Sequence, residues 1–143
     1  MSNESSIQWT TDDETRSEFT VGTHAGRIVS VRSEPPKNPN DDKGQPKANN
    51  LVWRIVGQDS VTGETCYVTS WNPLKPKSMG MKTNGEWLRA LGIDPAQGIA
   101  LSPTDKPGVS EITELANLAV TFTTEVEARD GKSNTRLTGV LPG

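Results

Sequence analysis

The chain is short of the residues that most often carry chemistry. Cys66 is its only cysteine and His24 its only histidine, so neither an intrachain disulfide nor a Cys/His zinc site can be assembled within it. It has no phosphate-binding glycine loop, no nucleophile elbow and no His-rich metal spacing. The carboxylates Asp59, Glu64, Glu111 and Glu114 are scattered, with no spacing that pairs them across a cleft, and read as solvated side chains. No apolar run approaches a membrane span, and no basic-then-apolar leader opens the chain, so a soluble, cytoplasmic, non-secreted protein is expected. Nothing here points to a catalytic residue, a metal or a cofactor, and the expectation is a protein that is not an enzyme.

Apolar residues are also sparse. At 143 residues, 31% hydrophobic and a mean hydropathy of -0.60, the chain suits one small domain with long polar loops. Net charge is -3, but residues 1–21 carry Glu4, Asp12, Asp13, Glu14 and Glu18 against Arg16 alone, a balance of -4 that leaves +1 for the rest. An acidic, loosely held N-terminal arm over 1–21, with Trp9 and Phe19 as isolated apolar points, therefore precedes a nearly neutral body over 22–143. A near-neutral body is compatible with single-stranded nucleic acid, where stacking supplies part of the affinity.

What the chain does have is β-rich sequence. Leu51 to Trp71, LVWRIVGQDSVTGETCYVTSW, reads as two strands joined by a turn at Thr62-Gly63. Alternation sends Leu51, Trp53 and Ile55 inward on the first strand and Cys66 and Val68 inward on the second, which makes Cys66 a small buried hydrophobe. Arg54 then points outward between Val52 and Val56, beside outward Tyr67, Thr69 and Trp71. An Arg flanked by two exposed rings suits the stacking of unpaired bases.

Upstream, GTHAGRIVSVR (22–32) is a strand that Gly26 is expected to bend or bulge, with His24 a surface or turn residue at its start. Residues 33–50, with four prolines and four asparagines, form a long loop in which Lys37, Lys43 and Lys47 are offset by Glu34, Asp41 and Asp42. Downstream of the hairpin, Lys75, Lys77 and Lys82 stand with no acid among them. Asn84 is expected to cap a short helix, GEWLRAL, whose Trp87, Leu88 and Leu91 face the core. Residues 93–109 read as loop, Ser110 caps a helical turn through Leu115, and LAVTFTTEVEA (118–128) alternates as a strand with Leu118, Val120, Phe122 and Val126 on its apolar face. A turn at Arg129 to Lys132 returns a last strand carrying Arg136 and Leu137.

Five strands with a helix between the third and fourth is the element order of an oligonucleotide/oligosaccharide-binding (OB) barrel, mainly β, whose ligand surface lies on strands 2 and 3. Through that order and the stretches LVWRIVG, NGEWLRALG and TGVLPG, residues 22–141 resemble the OB-fold single-stranded DNA-binding proteins of bacteriophage replication and recombination modules. The resemblance implies a non-catalytic binder of single-stranded DNA in a host cytoplasm, with replication or recombination proteins as further partners and a homo-oligomer as one possible state. Tyr67 and Trp71 would stack on bases with Arg54 beside them, and Lys75, Lys77, Arg129, Lys132 and Arg136 would line the backbone path. The departure from that pattern is the C-terminus: LTGVLPG lacks an acidic recruiting tail, and the acid sits at the N-terminus, in an arm that either replaces that tail or screens the binding groove. The alternative class is a protein-interaction module docking on a replication or host enzyme through the same hairpin, since an Arg and aromatic patch is also what a protein hot spot looks like.

Overall fold

The structure, a computed structural model, describes residues 18–129 and 131–143. In chain order the elements are β1 (Gly22–Glu34), β2 (Asn50–Gln58), β3 (Thr65–Pro73), α1 (Met79–Ala90), a 3-10 turn (Pro95–Gln97), β4 (Ser102–Pro103), β5 (Ser110–Glu111), a second 3-10 turn (Thr113–Leu115), β6 (Ala119–Arg129) and β7 (Lys132–Pro142). The long β1 is the spine of a single antiparallel sheet. One edge of it pairs with β2, which pairs with β3; the other edge pairs with β6 along its first half and with β5 at its end. β6 in turn pairs with β7. β7 lies against β3, but no hydrogen-bonded ladder joins them among the described residues.

The sheet has seven strands where the sequence leads one to expect five. The two additions, β4 and β5, are two residues long, too short to show an alternation. The helical turn expected through Leu115 is present as the 3-10 turn Thr113–Leu115, but Ser110 does not cap it: Ser110 lies in β5, held by the free edge of β1 and followed by the Ile112 N–H donating to the Val31 carbonyl at 2.9 Å.

The inward set on the central hairpin is Leu51, Trp53, Ile55, Cys66 and Val68, all buried. With Phe122 they belong to one hydrophobic cluster, in which each Å² of apolar area removed from water is worth roughly 25 cal/mol. The β1 bulge falls between Ile28 and Ser30, not at Gly26. Gly26 instead faces Gly57 across the ladder, where an added Cβ would sit 2.2 Å from the Val56 carbonyl oxygen. Close backbone approach is what that glycine permits. On β6, Val120, Phe122 and Thr124 point inward, while Leu118 precedes the strand and Val126 is exposed.

The helix begins six residues before the expected start, at Met79 instead of Gly85. Ser78 is its cap, accepting from the Met81 N–H at 3.1 Å, and Asn84 lies in its interior, buried. The Asn84 Oδ1 accepts from the Trp53 indole N–H at 2.9 Å and from Asn72 Nδ2 at 3.1 Å, and its own Nδ2 donates to the Asn72 carbonyl at 3.3 Å. Trp87 meets Trp53 edge to face at 5.2 Å. Together these contacts fix α1 against the end of the hairpin that carries Asn72. Among the described residues no helix is long and apolar enough to cross a membrane.

Of the expected acidic arm, residues 1–17 lie outside the described residues; Phe19 and Thr20, which the sequence assigns to it, are built into the body. Phe19 packs edge to face on Phe122 at 4.9 Å. His24 is buried, not superficial. Its Nδ1 accepts the Ser60 N–H at 3.0 Å, so Nε2 carries the proton and donates to the Thr20 carbonyl at 2.7 Å. Asp59 is likewise buried, at 2% exposure, where the sequence suggests a solvated carboxylate. It accepts from the Thr20, Val61 and Thr62 N–H groups and from the Thr20 hydroxyl, tying the root of the arm to the β2–β3 turn. Burial alone would raise its pKa; those donors outweigh burial and hold the carboxyl well below the usual carboxylate range.

Candidate nucleic-acid interface

Strand pairing puts the outward residues of β1, β2 and β3 into three rows. Arg32, Val52 and Trp71 form one, Ser30, Arg54 and Thr69 the next, and Arg27, Val56 and Tyr67 the third. Residues paired across an antiparallel ladder share a face, so Trp71 and Tyr67 stand on the same side with Thr69 between them. Trp71 is 61% exposed and Tyr67 46% exposed. The four-residue separation corresponds to about 13 Å along the strand. Val52 and Val56 are buried although they point outward, since the longer side chains on both flanks cover them.

Two of the three arginines on this face are paired with carboxylates; the third, Arg27, is exposed beside Tyr67 and donates from Nη1 to the Asn117 Oδ1 at 3.3 Å. Arg54 makes a two-point contact with Glu34, Nη1 to Oε2 at 2.5 Å and Nη2 to Oε1 at 3.3 Å. Arg32 Nε lies 2.8 Å from Glu111 Oε1. Arg54 thus reaches the surface between the rings, as its alternation requires, but holds a carboxylate there rather than standing alone. Its guanidinium plane remains a stacking surface, while its use as a phosphate ligand would require Glu34 to let go.

At the end of β3 the chain enters a tight turn, Lys75-Pro76-Lys77-Ser78. The Ser78 N–H donates to the Lys75 carbonyl at 3.1 Å and Lys77 has φ 65°, the pattern of a type II turn with proline at its second position. Lys75 faces a cleft of about 730 Å³ between this turn and the 33–50 loop, and Lys37 and Lys47 line the same cleft. Two of the three acids that offset that loop in sequence have other partners, while Asp42 is exposed and does not line the cleft. Glu34 pairs with Arg54, and the Asp41 Oδ1 accepts from the Lys43 and Gln45 N–H groups at 2.8 and 2.9 Å, shaping the loop. Three lysines against Asp41 leave the cleft basic. Pro73, two residues beyond Trp71 on the same strand face, also lines it, so rings and cleft are contiguous.

Lys77 belongs to a different hollow, on the α1 side. Arg136 is exposed on β7, its Nη1 3.4 Å from Glu127 Oε2, and lines neither of these two hollows. The side chains of Arg129 and Lys132 flank residue 130 and lie outside the described part of the structure. The structure therefore assembles Arg54, Tyr67, Trp71 and Lys75 and adds Lys37 and Lys47. The signal for those two lysines was in the loop itself, but seeing it required knowing that Glu34 and Asp41 have other partners. No protein-family model matches the chain, and no curated protein is similar to it.

Proposed function

We propose that the protein is a non-catalytic single-stranded DNA-binding protein of a phage-like replication or recombination module, and that its sheet is an OB barrel elaborated by β4 and β5. Three features support the fold reading: β1 shared between β2 and β6, a helix between the third and the next long strand, and β7 lying against β3. The observation that carries the function is the pair of exposed rings, Tyr67 and Trp71, on one strand face that opens into the lysine cleft. Bases stack on the rings, the sugar–phosphate backbone leaves past Pro73, and Lys37, Lys47 and Lys75 receive it.

The test is fluorescence anisotropy with a labelled, unstructured oligothymidylate. Each stacked base is worth about 1–3 kcal/mol by alanine substitution, so Trp71→Ala is expected to weaken binding about 5- to 150-fold. Substituting Lys47 or Lys75 should chiefly flatten the dependence of log K on log salt. Wild-type protein that leaves the oligonucleotide untouched at low salt refutes the reading and favours a protein-docking hairpin instead, because the same rings and Arg54 would then serve as a contact patch.

A further inference from the structure

A second hollow, apolar in its lining, lies on the α1 side. Between α1 and the 95–101 segment runs a groove of about 710 Å³ with Leu51, Leu88 and Ile112 in its floor. Met79, 74% exposed, and Leu101, 49% exposed, form its walls together with Met81. Its rim carries Lys77, Lys82 and Arg89 against a single carboxylate, Glu86. An apolar trough with a basic edge selects a ligand that has apolar side chains between acids.

The chain contains such a segment outside the described residues. Residues 4–14 read ESSIQWTTDDE, with Ile7 and Trp9 between Glu4 on one side and Asp12, Asp13 and Glu14 on the other. We infer that this N-terminal segment seats in the α1 groove of its own chain, Ile7 and Trp9 in the trough and the acids on the rim. Reach permits it. The first described residue after it, Glu18, is pinned on β7, where its Oε1 accepts the Thr135 N–H at 3.0 Å. From Thr135 to its end at Pro142, β7, which packs against α1, spans seven residues, about 24 Å. Trp9 lies nine residues before Glu18, a stretch of up to about 30 Å, longer than that span. The inference does not depend on DNA binding, and it places the acidic arm on α1, away from the face bearing Tyr67 and Trp71.

The test uses the full chain. It has three methionines, Met1, Met79 and Met81, so a methyl-labelled methionine NMR spectrum has three signals, two of them in the groove. A nitroxide is attached at Ser6→Cys; Cys66 is buried and does not compete for the label. Seating is expected to remove most of the Met79 and Met81 intensity, and reducing the nitroxide to restore it. High salt should weaken the effect, and adding Ile7→Ser and Trp9→Ser should abolish it. Full Met79 and Met81 intensity in the nitroxide-bearing chain overturns the inference. So does equal broadening when the nitroxide is carried by one chain and the labelled methionines by another, because the segment then occupies a second copy.

Discussion

Asn84→Ala is the most searching perturbation of the fold. The side chain is buried in the middle of α1 and serves Trp53 and Asn72 at once. Truncation removes the acceptor of the Trp53 indole N–H and of the Asn72 amide N–H, both on buried residues. Each buried unsatisfied donor costs about 1–3 kcal/mol, while the gain in helix propensity from Asn to Ala returns at most about 0.7 kcal/mol, for a net loss of about 1–5 kcal/mol. With an m-value of about 2 kcal/mol/M, the urea midpoint should fall by about 0.5–2.5 M. Protection of the Trp53 indole hydrogen against solvent exchange should fall with it. Lys82→Ala, an exposed change on the same helix, serves as the control and should leave the midpoint in place. A shift of the Asn84→Ala midpoint no larger than that of the control would refute the assignment of Asn84 as the joint between helix and sheet.

Other outcomes follow from single groups. Asp59 has a depressed pKa in the folded state, so its contribution to stability is complete above the unfolded value of about 3.9 and is lost as pH falls through the lower, native one. Asp59→Asn should therefore lower Tm near neutrality and flatten its decline below about pH 4; parallel declines for the two proteins would count against it. The Cys66 thiol is buried, and burial together with the carboxylates of Asp59 and Glu64 pushes its pKa up, so it should react with a disulfide reagent only in urea. Rapid reaction of the native protein would mean that the hairpin opens locally. Gly26→Ala forces a Cβ against the Val56 carbonyl and should separate β1 from β2, destabilising by more than about 2 kcal/mol in urea denaturation; an unchanged midpoint would show that the two strands are not held at this distance.

How far the sequence could be read depends on the range of each interaction. The hairpin faces were legible because alternation over Leu51 to Ile55 and Cys66 to Trp71 is local and repeats every two residues. The helix start was not. Met79 to Gly85 contains two glycines and no apolar period, and Gly80 is tolerated there because Pro73 packs where a side chain would go, an added Cβ lying 2.5 Å from its Cδ. Asn84 has the local look of a cap, and only partners 12 and 31 residues away reveal its part in the core. His24 is similar: residues 20, 60 and 124 satisfy it, and a lone histidine beside none of them reads as surface. At the candidate site, the rings were found from periodicity, whereas the Arg54–Glu34 pair required the β1–β2 register and the lysine cleft required a folded loop.

The pairing of charge on the ring face decides what kind of interface it can be. Arg32 and Arg54 are each matched by a carboxylate, so on the ring face Arg27, at the Tyr67 end, is the arginine without one, and the lysines gather beyond the end of β3. Stacking would then act over the rings and most of the counterion release at the cleft. A ligand long enough to touch the rings but too short to reach the cleft should bind with a small salt dependence, set by Arg27, and lengthening it past Pro73 should add salt dependence and affinity together. Breaking the Arg54 pair by Glu34→Gln would free a guanidinium between the rings. The salt slope of the short ligand should then steepen, because a second cation has been released into the stacking end of the path.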